Sequence, residues 1–218
     1  MNAILWDMDD TLLETLPDRM KALAHAYEVC LGSRTDPLAL ARSHRGGTLE
    51  ALGKRLLGDD AQRFITTYRD YYNNLPRNIR PYDGVREVLE YFLAAETPMA
   101  VVTAKLAWVA TDELSRAGIL HCFQAIVGAD DTDLHKPDPE PVFAALDRML
   151  IDDAEQVVFV GDSPADIFAA RNAGCRSVAA LWGTLDEELL RDTTPDHVVS
   201  HPSEIRAIVL NSHAGARP

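Results

Sequence analysis

Short apolar runs alternate with amphipathic segments along most of the chain. Four of these runs have the length of strands buried on both faces, and they lie at residues 3–6, 98–103, 123–128 and 156–161. Apolar residues three and four positions apart predict helices before, between and after the last three runs. Two further short strands are predicted at 177–181 and 197–200. This alternation predicts an α/β fold with a parallel sheet that is covered by helices on both faces.

Residues 15–80 do not follow this alternation. Helical spacing of apolar residues predicts four helices there, at 18–31, 36–41, 49–57 and 61–73. A segment of about 65 residues is also long for an ordinary crossover between parallel strands. We therefore predict an inserted all-helical domain at 15–80 and a core domain formed by 1–14 and 81–218.

The charge balance limits the class of partner. The 218-residue chain has a formal net charge of −13, and 47% of its residues are hydrophobic. An acidic protein is a poor candidate for a general nucleic-acid or anionic-membrane binder, since both functions need a basic face. A small phosphorylated molecule stays possible, because its binding needs only local cations or a bridging metal.

The sequence shows no signal for export or for a membrane span. Its start lacks the basic segment of a signal peptide, and no apolar run approaches the ~18 residues of a membrane helix. Cys30, Cys122 and Cys175 are widely spaced without a CxxC pair, which is typical of free thiols in a reducing compartment. We expect a cytoplasmic protein with no membrane partner, and both a monomer and a homodimer stay open.

The first strand ends in a dense acidic turn, where Asp7, Asp9 and Asp10 fall within four positions. Residues i and i+2 of an extended chain point to the same side. Two carboxylates about 4 Å apart repel by roughly 4 kcal/mol at an effective dielectric constant of about 20, so a cation is expected nearby. Mg²⁺ is the usual cation of an all-oxygen site. The turn by itself is equally consistent with an ordinary acidic loop.

Three more polar elements follow predicted strands. Residues 103–105 follow the second strand, Lys136 and Pro137 lie shortly after the third, and residues 161–166 follow the fourth. Ligands of open α/β sheets bind beyond the carboxyl ends of the strands, where these elements should meet. Together with the acidic turn they supply what phosphoryl transfer needs, namely a nucleophile, a proton carrier, carboxylates for a metal and donors for phosphoryl oxygens.

Four motifs, in this order and each near a strand end, resemble those of haloacid dehalogenase superfamily hydrolases. They are Asp7-Met8-Asp9-Asp10-Thr11, Thr103, Lys136-Pro137 and Gly161-Asp162-Ser163-Pro164-Ala165-Asp166. The resemblance covers nearly the whole chain, and it is to the phosphoglycolate-phosphatase-like subgroup with a helical, C1-type cap. It implies a Rossmann-like core with an inserted helical cap and a cytoplasmic, Mg²⁺-dependent phosphatase that acts on a small phosphorylated metabolite.

The resemblance also implies roles for the first three motifs. Asp7 would attack phosphorus and become an aspartyl phosphate, and Asp9 would protonate the leaving alcohol and then take a proton from water. Thr103 would hydrogen-bond the phosphoryl group, and Lys136 would neutralise Asp7 and the phosphoryl charge. Ala104 would lie beside the substrate. Many phosphoglycolate phosphatases have Asn at that position, so the identity of the substrate stays open.

The implied metal site would hold a single Mg²⁺. Its ligands would be the carboxylates of Asp7 and Asp162 and the carbonyl oxygen of Asp9, and Asp166 would hold a metal-bound water or act as a further ligand. Asp10 stands where many relatives have Gly. We expect Asp10 to stabilise the turn or its helix and to take no part in the chemistry.

One loop of the predicted cap is a candidate for substrate recognition. Residues 43–48 combine a cation, hydrogen-bond donors and two glycines that permit unusual backbone angles. We hypothesise that this loop reaches the site and reads the substrate through Arg45 and Gly46. The alternative is an ordinary turn between helices.

Two alternatives to a phosphatase stay open. A phosphomutase of the β-phosphoglucomutase kind shares the four motifs, although such relatives usually have a basic cap loop with Lys as well, and no lysine follows Arg45 in this loop. A non-catalytic phospho-aspartate regulatory module also has an acidic cluster, a Thr and a Lys in an α/β fold. Such a module lacks a cap and lacks a proton-carrying acid at the position of Asp9, so turnover is the favoured interpretation.

Overall fold

The computed structural model describes residues 3–43, 48–76 and 78–211. Its centre is a six-stranded parallel sheet in the order β3-β2-β1-β4-β5-β6. The strands are β1 (Ala3–Trp6), β2 (Met99–Val102), β3 (Ala125–Val127), β4 (Val157–Gly161), β5 (Arg176–Ala180) and β6 (His197–Val199). The predicted α/β fold with a parallel sheet is therefore confirmed.

Ten α-helices occur in the described part of the chain, and they include all eight that were predicted. The four in residues 15–80 lie within a few residues of their predicted bounds. The ten helices are α1 (Leu16–Leu31), α2 (Pro37–Arg42), α3 (Leu49–Leu57), α4 (Ala61–Asn74), α5 (Val85–Ala94), α6 (Ala107–Arg116), α7 (Glu140–Met149), α8 (Pro164–Asn172), α9 (Glu187–Asp192) and α10 (Ile205–Asn211). Two of them, α9 and α10, are additional to the prediction. Both are short, and a single turn or two gives few apolar positions to show a helical period. The equally short α2 was predicted because Asp36-Pro37 is typical of the start of a helix.

Side chains of β1 alternate between two apolar layers, one on each face of the sheet. Ile4 and Trp6 pack with residues of α5, α6 and α10, whereas Ala3 and Leu5 pack with residues of α7 and α8. All four β1 residues are fully buried, which is why the strand reads as a continuous apolar run. Because β1 pairs with both β2 and β4, Asp7 leaves the sheet near its centre.

Helices α1–α4 form a separate helical layer with a small core of their own. That core contains Leu23, Ala26, Leu40, Leu52 and Phe64, with further partly buried residues packed against it. The layer is inserted between β1 and α5. Its position in the chain is that of the helical segment predicted from the sequence.

The two connections between this layer and the sheet run side by side. The Glu14 amide donates to the Arg80 carbonyl at 3.1 Å, and the Tyr82 amide donates to the Leu12 carbonyl at 3.0 Å. The Glu14 and Arg80 side chains also pair, at 2.5 Å. The chain therefore enters and leaves the helical layer at one place, beside the turn after β1. The domain boundaries at residues 15 and 80 stay a prediction.

Two sequence-based expectations about environment can be compared with the structure. Cys30, Cys122 and Cys175 are free thiols, as predicted. None of the described helices is long and apolar enough to cross a membrane.

An exposed acid, Asp196, links the start of β5 to the start of β6. Its Oδ2 accepts hydrogen bonds from the amide (2.8 Å) and the hydroxyl (2.7 Å) of Ser177. Partial burial of the carboxylate raises its pKa, but the two hydrogen bonds from Ser177 prevail. They hold the pKa of Asp196 below its ordinary value of 3.8. A lowered pKa means that the carboxylate stabilises the fold above the unfolded-state pKa, and that this stabilisation is lost as the pH falls through the folded-state pKa.

We expect Asp196→Ala to lower the free energy of unfolding by about 1–3 kcal/mol at neutral pH, because it leaves two buried donors of Ser177 unpaired. The difference from wild type should shrink as the pH falls below about 4. Urea denaturation between neutral pH and about pH 3 measures both effects. Asp192→Ala, at an exposed position of α9, is the control and should change stability by less than about 0.5 kcal/mol. A difference that does not vary with pH would contradict the role given to Asp196.

Candidate active site

The turn after β1 is held by the carboxylate of Asp10. Asp10 has a positive φ of 65°, a backbone conformation that favours glycine. Its Oδ1 accepts hydrogen bonds from the amides of Thr15 (3.3 Å) and Leu16 (2.9 Å), and its Oδ2 pairs with Arg19 of α1. A Cβ at Gly183 would lie 1.7 Å from the Asp10 carbonyl oxygen, so the turn also needs glycine beside it. The expectation that Asp10 stabilises this turn and its helix is confirmed.

Lys136 connects the first motif to the fourth. Its Nζ donates to Asp7 Oδ1 at 2.6 Å, to Asp166 Oδ1 at 2.6 Å and to the Val102 carbonyl at 3.0 Å. These three bonds use all three donors of the ammonium group. Burial opposes the charged form, but Asp166 and Asp7 raise the pKa of Lys136 above its usual range. Lys136 therefore keeps its positive charge beside Asp7.

The segment 161–166 leads from β4 into α8 and carries two acids with different contacts. Ser163 begins the helix, and its amide (3.1 Å) and hydroxyl (2.6 Å) both donate to Asp166 Oδ2. Asp162 Oδ1 accepts a hydrogen bond from the Thr11 hydroxyl at 3.0 Å. Asp162 is thus joined to the turn after β1, while both oxygens of Asp166 are already engaged, by Ser163 and by Lys136.

Three carboxylates meet at the ends of β1 and β4. One oxygen each from Asp7, Asp162 and Asp166 lies within 4.8 Å of the other two. Mg²⁺ binds oxygen ligands at about 2.0–2.1 Å in an octahedron, in which neighbouring ligands stand about 3 Å apart and opposite ones about 4 Å apart. The all-oxygen donor set and its spacing therefore fit Mg²⁺.

The electrostatics of this cluster also favour a cation. Burial, and then the charge of Asp7, raise the pKa of Asp162 well above its ordinary value. Burial also raises the pKa of Asp7 to about 7, because the opposing effect of Lys136 is partly offset by Asp166. A bound cation would reverse these shifts, since it favours the ionised carboxylates.

Asp9 has different neighbours, although it is only two residues from Asp7. Its Oδ1 accepts hydrogen bonds from Lys105 Nζ (2.7 Å) and from the Thr15 hydroxyl (2.5 Å), and its Oδ2 lies 3.9 Å from Arg19 Nη1. Burial raises the pKa of Asp9, but the charges of Lys105 and Arg19 prevail and hold that pKa at about 2. Opposite pKa shifts in two neighbouring acids are the usual basis for separate chemical roles.

A cleft between the helical layer and the sheet opens above these acids. Its described floor includes residues of all four motifs, namely Asp7, Asp9, Thr103, Ala104, Lys136 and Asp162. Its described walls from the helical layer include Arg19, Met20, Leu23, Leu49, Leu52, Tyr68 and Tyr72. The structure therefore brings the predicted residues of the four motifs together at one site.

The predicted substrate-reading residues Arg45 and Gly46 lie outside the described residues. Their nearest described neighbours along the chain that line the cleft are Ala41 and Leu49. The cleft is therefore lined by described residues on both sides of the loop 43–48 in the sequence. The role of this loop in recognition stays a prediction.

Three contact residues of this site were not recognised from the sequence. Thr15, Arg19 and Glu113 were given no role, yet the first two contact Asp9 and the third pairs with Lys105. The sequence left Lys105 open between a salt bridge and a place in the site, and it contacts Asp9 as well as Glu113. Glu113 carried a usable signal, because a charged residue on the apolar stripe of α6 is unusual. The contacts of Thr15 and Arg19 depend on how α1 packs on the turn after β1, and no local pattern encodes that.

The chain was compared with known protein families and structures. The model of the family described as haloacid dehalogenase-like hydrolase matches residues 4–180. This chain is 32% identical to a phosphoglycolate phosphatase of Neisseria meningitidis, and the match covers 94% of this chain and 92% of the relative. It is 27% identical to the pyrophosphatase PpaX of Halalkalibacterium halodurans, covering 96% of this chain and 97% of the relative.

A solved structure shows the same architecture. A crystal structure from Haemophilus somnus, described as a predicted phosphoglycolate phosphatase, superimposes with a TM-score of 0.85 at 28% identity. The superposition covers 95% of this chain and 97% of the other. The names of these relatives refer to two different substrates, phosphoglycolate and pyrophosphate.

We expect Asp162→Asn to have opposite effects on thermal stability with and without Mg²⁺. In EDTA, Asp162→Asn should raise the melting temperature, because it removes a charge that burial and Asp7 disfavour. In wild type, Mg²⁺ at about 100 times its Kd should add about 2.7 kcal/mol, or roughly 5–10 °C for a chain of this size. The gain should be much smaller in Asp162→Asn. Thermal unfolding followed by circular dichroism measures both.

The matched control is Asp152→Asn, which makes the same change at an exposed position. It should keep the wild-type response to Mg²⁺. An equal shift in Asp162→Asn and Asp152→Asn would show that the ion does not bind at this cluster.

Proposed function

This chain belongs to the haloacid dehalogenase-like hydrolases, and we propose that it works as a Mg²⁺-dependent phosphatase on a small phosphorylated metabolite. The observation that carries the proposal is the buried contact of Lys136 with Asp7, 2.6 Å long, beside the cluster of Asp7, Asp162 and Asp166. A carboxylate next to a permanent cation, in a cleft floored by acids, is an arrangement suited to attack on a phosphoryl group.

In the first half of the proposed reaction, a carboxylate oxygen of Asp7 forms a bond to phosphorus. The bond between phosphorus and the alcohol oxygen breaks, and Asp9 gives its proton to that oxygen. The products are an aspartyl phosphate on Asp7 and a neutral alcohol. Lys136 supports this half, since it balances charge on Asp7 and on the phosphoryl oxygens.

In the second half, a water molecule attacks the phosphorus of the aspartyl phosphate. Asp9, now a carboxylate, takes a proton from that water, and the bond between phosphorus and Asp7 breaks. Inorganic phosphate leaves, Asp7 returns as a carboxylate, and Asp9 is again protonated. The same acid therefore serves both halves, and the proton that it loses in the first half returns in the second.

The low pKa of Asp9 keeps it in the ionised form that the base role requires, and substrate binding favours the protonated form that the acid role requires. Lys105 and Arg19 keep Asp9 ionised in the absence of substrate. A phosphoryl dianion in the cleft raises the pKa of a neighbouring carboxyl, because like charges disfavour the ionised form. Substrate binding thus favours the protonated form of Asp9 at the time when a proton donor is required.

We propose that Asp7, Asp162 and the Asp9 carbonyl hold the Mg²⁺, which would supply positive charge to the phosphoryl oxygens and keep Asp7 ionised. Asp166 is the weaker candidate for direct ligation. Its two oxygens already accept hydrogen bonds from Lys136 (2.6 Å) and from the hydroxyl of Ser163 (2.6 Å). We therefore assign Asp166 to the orientation of Lys136 and of a metal-bound water.

We assign recognition of the phosphoryl group to Thr103, Ala104 and Lys136, which line the floor of the cleft. Thr103 directly follows β2, and its amide donates a hydrogen bond to the Val127 carbonyl of β3 at 2.9 Å, so its position is fixed by the sheet. Recognition of the alcohol falls to the helical layer, with Arg45 and Gly46 as the proposed readers. We propose a phosphoglycolate-like monoester as the substrate, on the strength of the relatives named phosphoglycolate phosphatase, with pyrophosphate as the alternative that the PpaX relatives suggest.

The proposal predicts Mg²⁺-dependent release of inorganic phosphate. A panel of p-nitrophenyl phosphate, phosphoglycolate, sugar phosphates, nucleotides and pyrophosphate should contain at least one substrate, with activity lost in EDTA. Asp7→Asn should lower kcat by at least about 10³-fold, because the nucleophile is removed. Asp152→Asn, at an exposed position, is the control and should keep full activity.

Three outcomes would count against the proposal. Isomerisation of a sugar phosphate that is faster than its hydrolysis would favour the phosphomutase. Stable phosphorylation of Asp7 without turnover would favour the regulatory module. Full phosphatase activity in Asp7→Asn would exclude the proposed nucleophile.

A further inference from the structure

Lys105 forms a buried ion pair with Glu113, a residue that has no part in the proposed mechanism. Lys105 Nζ donates to Glu113 Oε2 at 2.5 Å and to Asp9 Oδ1 at 2.7 Å, and it lies 3.3 Å from the Tyr72 hydroxyl. The side chains of Lys105 and Glu113 are 14% and 0% exposed. Because a buried pair of charges is no general source of stability, this one calls for another explanation.

Glu113 gives Lys105 a fixed anchor in the core. It lies on α6 next to Ala110 and Leu114, which pack into the apolar layer on one face of the sheet. An ionised carboxylate without access to water favours a stable cationic partner. The Lys105 backbone is also packed, since a Cβ at Gly128 would lie 2.7 Å from its carbonyl oxygen. The core therefore sets the position of the Lys105 ammonium group.

The contacts of Asp9 are unequal between its two oxygens. Oδ1 accepts two hydrogen bonds, from Lys105 (2.7 Å) and from the Thr15 hydroxyl (2.5 Å). Oδ2 lies 3.9 Å from Arg19 Nη1. This distance allows an ion pair but is too long for a hydrogen bond. Two donors occupy the lone pairs of Oδ1, so a proton on this carboxyl group is better placed on Oδ2.

We infer that Lys105, anchored by Glu113, is a positioning residue that holds Asp9 through Oδ1 and leaves Oδ2 to exchange the proton. This inference rests on the proposed function. In the first half of the reaction, the bond between Oδ2 and its hydrogen breaks as the alcohol oxygen leaves phosphorus and takes the proton. In the second half, the proton lost by the attacking water forms that bond again.

The test compares leaving groups, because a proton donor matters most for a poor one. p-Nitrophenolate leaves without protonation, whereas a simple alkoxide needs a proton. We expect Lys105→Met to lower kcat/KM for an alkyl phosphate by about 10²-fold and for p-nitrophenyl phosphate by less than about 3-fold. This parameter reports the steps up to formation of the aspartyl phosphate. Lys54→Met, at an exposed lysine of α3, is the control and should change neither value.

A double-mutant cycle separates an effect through Asp9 from a direct contact with substrate. In an Asp9→Ala background, Lys105→Met should cost less than about 3-fold for the alkyl phosphate, since the group that it positions is absent. If Lys105 touches substrate itself, the two losses will multiply. A loss of equal size for both substrates, or multiplying losses in the cycle, would overturn the inference.

A second variant guards against a simple loss of folding. The double substitution Lys105→Met with Glu113→Leu removes both charges from the interior, which is often neutral or stabilising. It should melt near the wild-type temperature and still show the selective loss for the alkyl phosphate. A folded double variant with wild-type activity on both substrates would refute the role of Lys105.

The wild-type enzyme distinguishes failure of this inference from failure of the proposed function. If wild type hydrolyses neither of these two substrates nor any other member of the panel with Mg²⁺, the proposed function fails. If wild type hydrolyses both and Lys105→Met keeps the wild-type ratio between them, only the role of Lys105 fails.

Discussion

The site depends on one buried ammonium group. Lys136 reaches from the segment after β3 to Asp7 after β1, to Asp166 at the start of α8 and to the last carbonyl of β2, Val102. A single side chain thus links the ends of β1 and β2 to the start of α8, the helix that follows β4. Removal of one partner from such a pair leaves a buried charge, at a cost of about 3–5 kcal/mol. Fold stability and the proposed phosphoryl chemistry therefore depend on the same contact.

A second lysine makes the neighbouring acid behave differently. Asp7 shares Lys136 with Asp166, so burial prevails and raises the pKa of Asp7 to about 7. Asp9 has Lys105 and Arg19 as its cations, and they hold its pKa at about 2 despite burial. Both acids are buried, so the difference between their pKa values comes mainly from the number of cations beside each one. The proposed nucleophile and the proposed proton carrier can therefore sit two residues apart in one turn.

The structure follows the sequence-based prediction closely where the signal is local. Continuous apolar runs predict strands buried on both faces, and parallel strands bring their carboxyl ends to one edge, so the four motifs meet as expected. Helices α9 and α10 were missed because each spans only one or two turns. The ion pair of Lys105 with Glu113 was missed because it joins a strand end to the buried face of a helix. The cap residues Arg45 and Gly46 stay a prediction.

The sequence by itself determined the parallel sheet, the helical insertion and the set of acids and cations at the strand ends, because hydrophobic period and motif order are properties of neighbouring residues. The resemblance already implied that Lys136 neutralises Asp7. Only the tertiary structure decided which lysine contacts Asp9, and it is Lys105, across a separation of 96 residues. Such pairs form when separately folded elements pack together, and side-chain reach and burial then select the partners.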